Sequence, residues 1–147
     1  MQRVHVIQDF PQPVSEVFGY LSEQENLEPL FGAKIKRLSD GTDGTRNGAG
    51  ASRELRVGPL PGFVETNVEV IPEELIRYRI TRGGILKNHE GVMRFSSQGD
   101  GGTLVDYTID FDGKAPLIGP IVKRILTKSI TDGLRRYVAS GREPATV

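Results

Sequence analysis

Four side chains in this sequence could do chemistry at an enclosed site: His89, Tyr78, Tyr107 and Arg53. Each lies where apolar and polar residues alternate, the two-residue period of a strand with one face turned inward. Tyr78 shares parity with Ile76 and Ile80, and Tyr107 with Val105 and Ile109, so both hydroxyls point inward. There they either orient the polar group of an apolar ligand or serve as core tyrosines whose hydroxyls find backbone partners or the rim. His89 shares parity with Gly91, Met93 and Phe95. Turned inward, it could donate to a ligand carbonyl or act as a general acid–base; at its strand end it could equally lie in water at the rim. Arg53 falls on the side of Ala51 and Leu55. It either enters the interior, to bind a carboxylate or enolate oxygen or to pair with an acid, or reaches along the sheet to solvent. An unpaired buried guanidinium is costly, so an inward Arg53 requires a partner. Glu65 and Glu69 have outward parity, and one β-bulge would turn either of them in.

Other chemistries lack their residues. The chain has two histidines and no cysteine, so it offers no thiolate nucleophile, disulfide or thiolate metal site, and no metal is expected. Asp106, Asp110 and Asp112 share the outer face of a strand, where same-face neighbours sit about 6.6 Å apart; they read as a solvated face. There is no Gly-x-Ser-x-Gly elbow. Gly48-Ala49-Gly50 enters a strand and does not open a helix, so it is no phosphate cradle.

The element that must position these residues is the last one. From Leu117 to Val138, apolar residues recur at steps of three and four: Ile118, Ile121, Val122, Ile125, Leu126, Ile130, Leu134, Tyr137 and Val138. This is the spacing of one long amphipathic helix, roughly 33 Å in length, whose apolar face needs a cover. The rest of the chain supplies it. A strand is predicted over Gln2–Phe10, then a short helix after Pro13 and a second helical turn ended by Pro29. Six more alternating stretches follow: Ala33–Leu38, Ala49–Val57, Phe63–Ile71, Leu75–Thr81, His89–Ser97 and Thr103–Phe111. Turn-forming Gly, Pro, Asn and Asp join most of them, which implies sequential antiparallel hairpins. In Phe63–Ile71, parity turns Val64, Thr66, Val68 and Val70 inward. The fold class is therefore α+β, a seven-stranded antiparallel sheet around a long C-terminal helix, with two short helices between strands 1 and 2. The tail after Ser140 reads as frayed.

A chain of 147 residues is most simply one domain, 1–147, with a core of its own. Lys plus Arg balances Asp plus Glu at 19 each, without the basic stripe of a nucleic-acid binder. No signal peptide and no membrane-spanning stretch is visible. A cytoplasmic protein without stable membrane insertion is expected.

Four stretches, in this order and spacing, resemble the START-like (helix-grip, SRPBCC) superfamily, and within it the polyketide cyclase/dehydrase family. They are Pro13 to Phe18 after the first strand; Gly48-Ala49-Gly50-Ala51-Ser52-Arg53; Asn88-His89-Glu90-Gly91 with Gly101-Gly102-Thr103; and Pro116-Leu117-Ile118-Gly119-Pro120 opening the last helix. The resemblance covers about Val4 to Val138. Relatives often carry a Trp near the end of the second short helix, where this chain has Leu30 and Phe31. The resemblance implies a ligand cavity between sheet and C-terminal helix, with a gated mouth near Gly58–Gly62 and Gly83–Lys87. Its walls would come from Ile118, Ile121, Val122, Ile125 and Ser129 on the helix and Val68, Met93 and Phe95 on the sheet. A sealed core would need the same residues. The implied partner is a small hydrophobic molecule (a polyketide, a lipid or an aromatic metabolite), with no cofactor. Cyclase, aromatase or dehydrase activity would use Arg53 to stabilise an oxyanion and His89, Tyr78 and Tyr107 to move protons. A non-catalytic carrier or sensor, or a protein- or membrane-interaction module, is the alternative. Oligomeric state stays open, a homodimer being one arrangement.

Overall fold

The computed structural model describes residues 1–141. Strand β1 (Gln2–Phe10) leads into α1 (Val14–Ser22), a 3-10 turn (Gln24–Leu27) and α2 (Glu28–Phe31). Strands β2 (Lys34–Ser39), β3 (Ser52–Arg56), β4 (Phe63–Ile71), β5 (Leu75–Gly83), β6 (Leu86–Ser97) and β7 (Thr103–Gly113) follow, and α3 (Ile118–Gly141) closes the chain. The frayed tail expected after Ser140 falls, beyond Gly141, outside the described residues.

All seven strands form one antiparallel sheet in the order β1-β7-β6-β5-β4-β3-β2. Connections between consecutive strands account for each neighbouring pair except β1–β7, which the long detour through the sheet brings together. The sheet grips α3, giving the α+β helix-grip fold expected from the alternation. Where alternation is regular, burial follows it. On β7, Thr103, Val105, Tyr107, Ile109 and Phe111 all lie on the enclosed face, essentially without exposure.

Two local expectations are overturned. Pro29 does not end the second short helix; it stands in the first turn of α2, where a missing N–H breaks no helical hydrogen bond. The helix stops instead at Gly32, whose φ of 59° is left-handed. The pairing of β4 with β5 shifts twice: between Val64 and Glu65 the extra residue, Thr81, lies on β5, and between Asn67 and Glu69 the extra residue, Val68, lies on β4 and breaks its two-residue period. Glu65 and Asn67 turn inward, each 3% exposed, and Val68 turns out, 37% exposed.

The core has two parts. One is sealed by α1, the 3-10 turn and α2: Val17, Leu21, Leu27 and Leu30 pack with Ile130, Leu134 and Val138 of α3 against β1 and β7. Gly133 allows this approach, since a Cβ there would lie 3.0 Å from the Cα of Leu30. Phe18 meets Phe95 edge-on at 5.2 Å and Tyr20 stacks on Tyr137 at 4.2 Å. Full burial of each such aliphatic or aromatic side chain contributes about 1.5–3 kcal/mol. The other part, under the first half of α3, is not filled.

Candidate functional site: an apolar cavity with a buried ion pair

The site begins with Arg53. Regular alternation on β3 drives its guanidinium inside, where it is 2% exposed. Its Nε donates to Glu65 Oε1 at 3.2 Å, with Nη2 at 3.1 Å from the same oxygen. Nη1 donates to Asn67 Oδ1 at 3.0 Å and to Gln24 Oε1 at 3.3 Å. Asn67 in turn donates to the Asn47 carbonyl at 3.1 Å. The guanidinium also lies 5.0 Å from the ring centroid of Tyr78. Glu65 is the cross-strand partner of Arg53 on β4, Asn67 follows two residues on along the same face, and the 3-10 turn brings Gln24. A buried charge persists only when it is paired and hydrogen-bonded in this way.

Glu65 uses one oxygen for Arg53. Its other oxygen, Oε2, lies 3.8 Å from Nε2 of His89. His89 reaches this position through an irregularity of its own. The β6–β7 register shifts between Lys87 and Glu90, and Asn88 adopts φ 53°, a left-handed geometry that Asn tolerates. Strand pairing of β5 with β6 stops at Tyr78 and Gly91. Beyond that point the imidazole takes the place of a strand carbonyl: His89 Nδ1 accepts the Ile80 N–H at 3.0 Å. An accepting Nδ1 leaves the proton of the neutral ring on Nε2, directed toward Glu65. Burial is the main cause that holds the His89 pKa below its ordinary value, outweighing the opposing pull of Glu65.

Tyr78 and Tyr107 point inward and hydrogen-bond to each other through their hydroxyls. They meet across β6 because residue 91 is glycine; a Cβ there would overlap the Tyr78 ring and come within 2.5 Å of its hydroxyl oxygen. Burial raises both phenol pKa values, so both rings stay neutral.

Beside this polar cluster lies a cavity of about 130 Å³. Leu55, Phe63 and Ile80 wall it from the sheet, Val57 from just past the end of β3, and Val122, Ile125 and Leu126 from α3. Phe31 of α2 and Ile109 of β7 complete the inner wall. Leu60, Pro61 and Ile85 bring in the β3–β4 loop and the β5–β6 turn, the two segments expected at a mouth. Glu65, Tyr78 and His89 are the polar residues on this lining.

Of the residues predicted for the site, the cavity thus brings together Tyr78, His89, Val122 and Ile125. Arg53 stands behind Glu65, and Tyr107 behind Tyr78, because each is committed to that neighbour. The remaining wall residues lie elsewhere. Val68 faces outward because of the β4 bulge. Met93 and Phe95 fall beyond Gly91, in the sealed core under α1. Ile118 packs beside Gly113 at the end of β7, and Ile121 is 57% exposed. Ser129 Oγ donates to the Leu30 carbonyl and so belongs to the α2–α3 contact. The polar lining residue that strand parity placed on the wrong face is Glu65; the signal for it was the buried arginine's need for an acid.

Comparison with known proteins agrees with this architecture. A family described as "Polyketide cyclase / dehydrase and lipid transport" matches residues 1–140. No curated protein sequence matches the chain. Among solved structures, a START superfamily protein from Mycobacterium smegmatis superposes with a TM-score of 0.77 at 18% identity, over 94% of this chain and 97% of that one. A protein from Thermus thermophilus gives 0.73 at 20% identity, over 97% of this chain and 100% of that one. The Aha1 protein of Colwellia psychrerythraea, solved as a dimer, gives 0.65 at 11% identity, over 94% of each chain. At these identities the structures speak for the fold, and the match along 140 residues for the family. The chain belongs to the polyketide cyclase/dehydrase and lipid transport family and has the START-like fold.

Proposed function

We propose that this protein binds a small, largely apolar molecule in the cavity between its sheet and α3, as a binding or carrier protein. The observation that carries this reading is the cavity itself: apolar walls from both layers, with the polar residues gathered on one side. A comparable cavity of about 150 Å³ lined by aliphatic and aromatic residues holds benzene. The enclosed space therefore suits a single ring or a short chain. A longer polyketide or acyl chain would run out past Leu60 and Ile125, which are 47% and 59% exposed.

Cyclase or dehydrase chemistry is the second reading, and one observation favours it: Glu65 and His89 converge on the cavity in the manner of an acid–base pair. The other polar candidates favour binding. Arg53 is engaged by Glu65, Asn67 and Gln24 and is not on the cavity lining, so it is poorly placed to meet a developing oxyanion. Each tyrosine hydroxyl is already hydrogen-bonded to the other, and Tyr107 is not on the cavity lining.

The test is an NMR titration with toluene, following the amides of Ile80, Val122 and Leu126. The wild-type protein is expected to show saturable shifts at these positions. Val122→Phe should abolish them, at a stability cost of no more than about 1–3 kcal/mol from overpacking. Shifts that are absent in the wild type, or unchanged in the variant, would overturn the cavity reading.

A further inference from the structure

We infer that the cavity selects a neutral hydroxyl-bearing ligand, a phenol or alcohol on one ring, by seating its oxygen between Glu65 Oε2 and His89 Nε2. This rests on the cavity reading and adds the chemistry of what enters. The two atoms are complementary. Glu65, ion-paired with Arg53 through Oε1, presents an acceptor; His89, its Nδ1 occupied by the Ile80 N–H, presents a donor. Both residues are more than nine-tenths buried and both line the cavity. Neither Oε2 nor Nε2 has a hydrogen-bond partner among the described residues. Neither is sealed off: the enclosed, unpartnered side-chain polar atoms are Gln12 Oε1 and Gln24 Nε2. A buried donor and acceptor left open toward a cavity are costly unless something answers both.

The 3.8 Å separation decides what can answer. It is too long for a direct hydrogen bond, and an oxygen lying off the line between the atoms at about 2.8 Å from each makes two good ones. A hydroxyl does this with one atom, accepting from Nε2–H and donating to Oε2, the second bond strengthened by the carboxylate charge. A ketone or ether oxygen satisfies His89 but sets its lone pairs against Glu65. A carboxylate meets like charge. A plain hydrocarbon leaves both groups unmet.

The wild-type protein tests this directly, by NMR titration with toluene, p-cresol, p-methylanisole and p-toluate, which differ only at one end of the ring. p-Cresol is expected to bind about tenfold tighter than toluene, the worth of one to two net hydrogen bonds. p-Methylanisole, which cannot donate, should fall back to toluene or below, and p-toluate should bind weakest. If p-cresol binds no tighter than toluene or p-methylanisole, the hydroxyl selection is wrong and the apolar cavity stands. If none of the four perturbs the lining residues, the cavity reading fails with it. Glu65→Gln, if folded, should narrow the gap between p-cresol and p-methylanisole; an unchanged gap would overturn the role of Oε2.

Discussion

Arg37 of β2 and Arg53 of β3 face each other directly across the sheet. Three consecutive residues divide between them: Glu23 and Glu25 bind Arg37 at 2.7 and 2.9 Å, and Gln24 binds Arg53 at 3.3 Å. Arg37 also reaches Asp40, Asn47 and the Arg46 carbonyl. It has more partners than Arg53, and it sits at the rim with 14% of its side chain exposed against 2% for Arg53. The pair teaches that the number of partners is a poor measure of what an arginine does. At the rim, water can replace any lost partner, so Arg37 clips the loops together weakly. Inside, Arg53 has no substitute solvent. It fixes Glu65, and through Glu65 the polar end of the cavity.

The sharpest way to break this comparison is to remove each arginine in turn. Arg53→Met should cost about 3–5 kcal/mol in urea unfolding, because it strands a buried carboxylate. Adding Glu65→Leu should recover most of that loss, since an apolar pair of similar size restores neutrality. Arg37→Met should cost about 1 kcal/mol, and less at high salt. Equal costs for the two single variants would show that burial is not what separates them.

A finer probe uses pH. The folded protein holds His89 below its ordinary value of 6.5, chiefly by burial. As pH falls below that value the unfolded chain binds a proton that the folded chain refuses, so stability is lost on the acid side. His89→Phe should lower stability near neutrality, because the Ile80 N–H loses its acceptor. It should also flatten the decline in urea midpoint between about pH 7.5 and about pH 5.5. Parallel declines in the two proteins would mean that the folded imidazole charges as readily as a free one.

The layout of the fold was legible because alternation and turn residues are local signals. Strands β1 and β4 match their predicted spans residue for residue, and the long helix is shifted by only a few residues. Facing was legible on β7, where no bulge intervenes. It was lost on β4 because nothing in Phe63–Ile71 marks Val68 as an extra residue that switches parity along the strand; the shift follows from pairing with β5, a long-range event. The inward turn of Tyr78 and Tyr107 could be read from parity. Their mutual hydrogen bond could not, because it depends on the missing side chain of Gly91, on the strand that runs between them. The cavity wall was legible least. Ile118, Ile121 and Ser129 carry the same apolar or small character as Val122, and only the placement of α2 and the sheet decides which of them borders empty space.

Helix α3 begins just after Leu117, which is 74% exposed and strained at φ 75°. Its next two turns leave Ile121 and Ile125 open to solvent, while Ile130 and Leu134 further along are fully enclosed. Stability along this helix is therefore graded. Turns with few buried apolar neighbours unravel in small excursions that leave the sealed half intact. The turns with the fewest buried neighbours are those that roof the cavity, so in the proposed reading a guest would enter by local melting of one helix end while the sheet stays closed. A guest that packs against Val122 and Leu126 would then act as the missing core for that end, and binding would be read out as helix order.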